Sequence, residues 1–202
     1  YYVIDCGWHD EPEDPFYYIG KWHESCSRYP HGLKKTIDRV KKEGMIPGLW
    51  IEPEVVGAKG DAFSLYGKDA YFSRGGKLLG ISDRYQLDFR CKEVLERMDR
   101  IIDRLVGEYG IGYLKIDYNI EAGVGTDNRA ESCGDGLLEH NRAYICWIEH
   151  IRKKYPELVI ENCASGGNRM DYLTLGLCDV QSTSDQIDYK VYPYIAANMF
   201  SA

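Results

Sequence analysis

The 202-residue sequence contains no uninterrupted apolar run approaching the ~20 residues a membrane-spanning helix requires, and no charged-then-apolar targeting segment opens it. No membrane association is expected. It has no excess of positive charge either: 25 Lys and Arg against 32 Asp and Glu leave a formal charge of −7, which repels phosphate backbones and anionic lipid surfaces. That argues against a nucleic-acid partner. There is no Cys-x-x-Cys pair, and the seven cysteines are odd in number and scattered, unlike a secreted disulfide framework or a zinc cluster. A reducing, cytoplasmic setting and no bound metal are expected. The chain also lacks an initiating Met: Tyr1-Tyr2-Val3-Ile4 reads as the inside of a buried strand, so the expectation is a piece of a longer protein.

What is present is an ordinary globular balance, 44% hydrophobic and 28% charged, with seventeen tyrosines whose flat faces and polar tips suit sugars as well as protein cores. Short β-rich runs alternate with amphipathic stretches. Tyr1 to Asp5 predicts a strand, followed by a polar loop from His9 to Pro30. Leu33, Ile37 and Val40 have helical spacing, and Gly44 ends that helix. Strands are then predicted at 45–51, 111–116, 158–160 and near 177–181, with helices at 93–109 and 137–155. The glycine-rich stretch from Gly57 to Gly80 reads as a long loop.

Strand, loop and helix repeating in this order predict an α/β architecture with a parallel sheet. Polar residues stand at the carboxyl end of each strand: Asp5, then Glu52 and Glu54, then Lys115 and Asp117, then Glu161 and Cys163, then Asp185. In a (β/α)8 TIM barrel such ends open onto one catalytic face, and a doubly wound sheet would show a glycine-rich phosphate turn that Asp5-Cys6-Gly7-Trp8 is not. About five of the eight strands are countable, so an incomplete barrel fragment is expected, with 1–202 as part of one catalytic domain; the family resemblance given below implies that it covers about strands 2 to 6.

The segment Tyr113-Leu114-Lys115-Ile116-Asp117-Tyr118-Asn119 carries the most chemistry. Strand alternation puts Lys115 on the same side as Asp117, and a lysine beside a carboxylate favours its ionised form, as a nucleophile or electrostatic stabiliser needs. A buried ion pair fixing the strand end is the competing reading. Ser184-Asp185-Gln186 supplies a second acid on a different strand end; it either caps a helix or faces Asp117 across the mouth. Two carboxylates so placed suit glycoside hydrolysis. Trp8 and Trp50, near strand ends, are candidate sugar platforms, whereas Trp147 has core spacing and Trp22 stays undecided.

Five segments, Asp5-Cys6-Gly7-Trp8, Gly48 to Glu54, Tyr113 to Asn119, Glu161 to Gly167 and Thr183 to Asp188, together resemble in order the signature of melibiase-type α-galactosidases, glycoside hydrolase family 36. The resemblance implies a retaining double displacement on terminal α-D-galactosides without metal or organic cofactor, and larger members that assemble into oligomers. By motif, Asp117 would be the nucleophile and Asp185 the acid/base. Asp5, Trp8, Trp50, Arg84, Lys115, Asn119, Cys163 and Gly166 would line the sugar pocket, Cys163 and Gly166 as small residues close to the ligand. Cys6 stands where the family usually has a second aspartate, Ile116 where a tryptophan is common, and Lys190 near a position often held by arginine. These departures bear on the sugar: an α-N-acetylgalactosaminide or another α-linked sugar stays open, as does a carbohydrate-binding relative without turnover.

Overall fold

The computed structural model describes residues 1–9 and 14–199. Five strands form one wholly parallel sheet, and helices fill the connections between them. Along the chain come β1 (Tyr2–Ile4), α1 (Leu33–Lys42) and β2 (Pro47–Ile51). An excursion follows, made of β3 (Val55–Gly57), β4 (Ser73–Arg74), β5 (Lys77–Leu78), β6 (Gly80–Ile81) and β7 (Arg84–Gln86). Then come α2 (Lys92–Asp103), β8 (Tyr113–Ile116), α3 (Cys133–Lys154), β9 (Val159–Asn162), α4 (Tyr172–Leu177), β10 (Val180–Gln181) and α5 (Tyr192–Met199). The parallel sheet runs β1-β2-β8-β9-β10, so each strand lies beside the parallel strand that precedes it in the chain.

Helix positions follow from apolar spacing. α1 buries Leu33, Ile37 and Val40, and two i,i+4 pairs, Lys34 with Asp38 and Arg39 with Glu43, run along its outer side. α2 buries Val94, Met98, Ile101 and Ile102, then loosens into a π-helical turn at Arg104–Tyr109 that ends on left-handed Gly110. α3 begins at Cys133, four residues earlier than its apolar pattern indicates, because the Ser132 hydroxyl caps it by accepting the Asp135 amide at 3.1 Å. Among the described residues no helix is long and apolar enough to cross a membrane.

The strands alternate as period two requires. Leu49, Ile51, Leu114, Ile116 and Ile160 share one buried core with the apolar stripes of α1, α2 and α3. The opposite face carries Gly48, Tyr113 and Val159 in one row and Trp50, Lys115 and Glu161 in the next. Gly48 is there for room: a Cβ on it would stand 2.8 Å from the Cβ of Tyr113.

The stretch read as a long loop differs from expectation. β3, β7 and β6 make a three-stranded antiparallel sheet and β4 pairs with β5, with isolated 3-10 turns between them. Val55, Val56, Ala70, Tyr71, Phe72 and Leu87 are buried there, and all but Phe72 are part of the same core as the parallel sheet, so the excursion packs onto the main body despite its glycines. Trp22 and Trp147 are both buried, which settles the first and agrees with the second.

Candidate functional site

The register of the parallel sheet assembles the carboxyl-end residues without any loop needing to reach far. β1 places Ile4 beside Leu49, so Asp5 comes level with Trp50, and Trp50 lies beside Lys115, which lies beside Glu161. The Lys115 Nζ accordingly donates to Asp5 Oδ2 at 2.8 Å. Burial lowers the Lys115 ammonium, but Asp5 outweighs it and holds the lysine above its ordinary value. On the next strand the Tyr113 hydroxyl donates to Glu161 Oε2 at 2.7 Å, and Ser182 Oγ donates to Glu161 Oε1 at 2.5 Å.

Asp117 stands one step further along the same face, buried. Its carboxylate accepts three donors: Trp50 Nε1 at 3.0 Å, the Tyr118 amide at 2.8 Å and the Ser165 amide at 3.2 Å. Burial alone would raise this acid. The neighbouring Asn119, Trp50, Cys163 and Tyr118 amide, as polar partners of the carboxylate, reverse that and leave the carboxyl below its ordinary value. The arrangement keeps an anion in a dry place, surrounded by fixed donors.

Cys163 is buried beside Asp117, and its thiol is pushed up to about 12 by burial and by the Asp117 charge, so it is a neutral small group there. The turn that follows separates the two acidic centres. On one side Ser165 gives its amide to Asp117; on the other, a Cβ added to Gly166 would meet Ser184 Cα at 2.7 Å and the Asp185 amide nitrogen at 3.0 Å. Gly166 also has φ +84, a conformation L side chains rarely adopt. Asp185 itself is exposed at the rim. Ser165 Oγ donates to Asn119 Oδ1 at 2.7 Å, tying the same turn to the residue two beyond Asp117.

Trp8 and Trp50 are each only 1% exposed. Trp50 meets the site through its indole N–H, while Trp8 lies behind it and donates Nε1 to the Trp50 carbonyl at 2.7 Å. His9 stacks on Trp50 with ring centres 5.8 Å apart, and Trp22 joins the same aromatic group. Arg84 arrives from the excursion: its guanidinium donates to the Asn119 carbonyl at 3.0 Å and to Glu52. An open cleft of about 710 Å³ leads away from Asn119 and Ser165, walled by Tyr118, Glu121, Asn141, Asn168 and Arg169.

The melibiase family model matches residues 1–192. The chain belongs to the melibiase family. Among curated proteins this melibiase chain is 31% identical to the α-galactosidase of Escherichia coli over 176 residues, which are 86% of this chain and 24% of the relative. It is 29% identical to the bifunctional α-galactosidase/sucrose kinase AgaSK of Mediterraneibacter gnavus, over 84% of this chain and 17% of that protein. The chain thus spans about a quarter, or less, of the length of these relatives. The crystal structure of the α-galactosidase from Lactobacillus brevis superposes with a TM-score of 0.86 at 24% identity, over 98% of this chain and 27% of that one. The family 36 α-galactosidase AgaA of Geobacillus stearothermophilus gives the same TM-score at 22% identity, over 96% of this chain and 27% of that one.

Within this melibiase chain, Asp5, Trp50, Arg84, Lys115, Asn119, Asp117 and Cys163 are brought together, with Gly166 touching the Asp185 loop. Trp8 stands behind the site. Glu52 is recognisable in the sequence as a strand-end acid but not by any task, and neither Ser165 nor Phe16 stands out there as a site residue. The Phe16 ring packs edge-on against Trp50 at 6.1 Å and lies 5.3 Å from the Arg84 guanidinium. No periodicity points to a lone Phe in a single 3-10 turn, Pro15–Tyr17, whereas Ser165 lies inside the Glu161 to Gly167 segment.

Proposed function

We propose that this chain is the catalytic stretch, about strands 2 to 6, of a (β/α)8 barrel glycoside hydrolase that cleaves terminal α-D-galactosides with retention. The sequential order of its five parallel strands supports the barrel, since a doubly wound sheet reverses its order part-way. The observation that carries the chemistry is Asp117: a buried carboxylate held anionic by Trp50, Asn119, Cys163 and main-chain amides, with Lys115 on the same face. A nucleophile needs that state.

In the first step an Asp117 oxygen bonds to the anomeric carbon as the glycosidic C–O bond breaks, and Asp185 gives its proton to the departing oxygen. In the second, Asp185 takes a proton from water, the water oxygen bonds to the anomeric carbon, and Asp117 leaves as the carboxylate. Lys115, Asp5 and Asn119 would bind sugar hydroxyls beside the reacting carbon, and the cleft past Asn119 and Ser165 would take the leaving-group side of an oligosaccharide.

The test is release of 4-nitrophenol from its α-galactoside by the full-length protein, with loss of turnover in Asp117→Asn. A 2-fluoro galactosyl reagent should label Asp117; labelling elsewhere refutes the nucleophile. Sugar binding without release would leave a carbohydrate-binding relative as the better description. The retaining route also requires the two carboxyl groups to lie roughly 5 to 5.5 Å apart in the sugar complex, and a gap near 9 Å would mean inversion.

A further inference from the structure

Glu52 is a fully buried carboxylate one residue beyond the end of β2. Because Ile51 pairs with Ile116, Glu52 comes level with Asp117 on the neighbouring strand, roughly 4.8 Å away in the hydrogen-bonding direction. Its Oε1 accepts the Asn119 amide at 2.7 Å, and its Oε2 accepts the Arg84 guanidinium. Arg84 in turn donates to the Asn119 carbonyl at 3.0 Å. The three residues close a ring in which both polar groups of Asn119's main chain are held by one ion pair. With its Oδ1 already accepting from Ser165, the Asn119 side chain has its amide donors left to offer to Asp117.

We propose that Glu52 is a positioning residue for the nucleophile, acting with Arg84 to clamp the Asn119 main chain so that the Asn119 side chain stays aimed at Asp117. This rests on Asp117 being the nucleophile. An ion pair kept only for packing would need none of this closure, since well-fitted apolar residues replace buried pairs without loss. Asn119 stands first among the neighbours that lower the Asp117 carboxyl, which gives the clamp something to act upon.

Burial raises the Glu52 carboxyl itself, against the pull of Arg84 and the Asn119 amide and with a further push from Asp117. Arg84 reaches Glu52 from β7, Asp117 follows β8, and Cys6 follows β1 with its thiol pushed up to about 12, first by burial and then by Asp5 and Glu52. Tyr118 lies beside them and is raised by burial. Glu54, on Glu52's own strand end, is occupied by Arg169 and His140, and Cys163 after β9 is the neutral thiol described above. Lys115 and Asp5 neutralise one another.

Glu52→Asp keeps the charge but shortens its reach, so in the full-length protein it should loosen Asn119 and cost Asp117 one donor. The acid limb of kcat/KM for 4-nitrophenyl α-galactoside then moves to higher pH by roughly one unit, the share of one donor where two or three together take a carboxylate below 2. Asn119→Ala should move the limb by the same amount, and the double variant no further than either single one. Arg84→Lys, which keeps the charge and loses the fork, provides the same readout if Glu52→Asp does not fold. An inactive wild type refutes the underlying reading and this inference together. An active wild type, silenced by Asp117→Asn, whose limb stays fixed in Glu52→Asp and Arg84→Lys, refutes the inference alone, as does full additivity in the double variant.

Discussion

Arg169→Met tests how strongly the ground beneath the site depends on one buried cation. Arg169 lies four residues after Ser165 and points inward: Nη1 donates to Glu54 Oε2 at 2.6 Å, and the guanidinium stacks 4.2 Å from the Tyr118 ring and 4.9 Å from that of Tyr144. Glu54 has a second donor in His140 Nε2 at 2.9 Å. Burial disfavours a charged imidazole, but Asp88 and Glu54 outweigh it and hold His140 above its ordinary value; against that pull, the Phe89 amide donates into Nδ1 at 3.0 Å, which needs that nitrogen's lone pair and so keeps the ring neutral with its proton on Nε2 toward Glu54. Methionine keeps the stem and removes the charge, leaving Glu54 in the dark with only that neutral donor. Breaking a buried pair in this way costs about 3 to 5 kcal/mol at neutral pH.

The pH dependence supplies the sharper check. Burial raises the Glu54 carboxyl, but Arg169 and His140 outweigh it and bring it from 4.5 to about 2. A carboxyl lowered on folding contributes stability above the unfolded value of 4.5, and that contribution fades as pH falls through about 2. In Arg169→Met the acid has lost its cation and takes up its proton much earlier, escaping the penalty. The deficit relative to wild type should therefore narrow by about 2 kcal/mol between pH 7 and pH 3. Urea unfolding followed by tryptophan fluorescence at both values measures it. A deficit below about 1 kcal/mol at pH 7, or one that does not narrow, means Arg169 is held by its aromatic neighbours and not by Glu54.

Three further outcomes follow from the site. Gly166→Ala forces a side chain into φ +84 and against Ser184, and should cost about 1 to 3 kcal/mol of stability and most of kcat, read by thermal unfolding and by steady-state kinetics. Trp50→Phe removes the indole donor from Asp117 while leaving an aromatic ring, so the acid limb of the rate profile should rise by a fraction of a unit to one unit. Lys115→Met should change stability by less than about 1 kcal/mol, since Asp5 is largely exposed, yet reduce kcat/KM at least tenfold; a large stability loss with intact kinetics would make the pair structural.

The five parallel strands and three of the helices were legible because each buries a stripe at its own period, Leu49 and Ile51 at two, Val94, Met98 and Ile101 at helical spacing. The excursion was not. Its strands are two or three residues long, too short for alternation to register, and their pairing is set by contacts such as Tyr71 with Phe63 and Tyr85 that lie far from any local pattern. α4 and α5 went unread for related reasons: α4 is six residues long, and α5 has an almost uniformly apolar sequence without a stripe. At the site, Asp117 and Lys115 announced themselves by standing in an apolar strand. Glu52 did not, because its partners come from β7 and from the loop after β8, and only the fold brings those to one place.

The turn between the two acidic centres touches each of them with main chain, an amide toward Asp117 and a glycine Cα toward the Asp185 loop. A spacer of that kind has a thickness set by peptide geometry, which point substitutions at its surface hardly alter. On the proposed pairing of Asp117 with Asp185, side-chain changes elsewhere in the pocket would leave the gap between the two carboxyl groups untouched, and only an inserted or deleted residue in the turn, or loss of its glycine, would reset it.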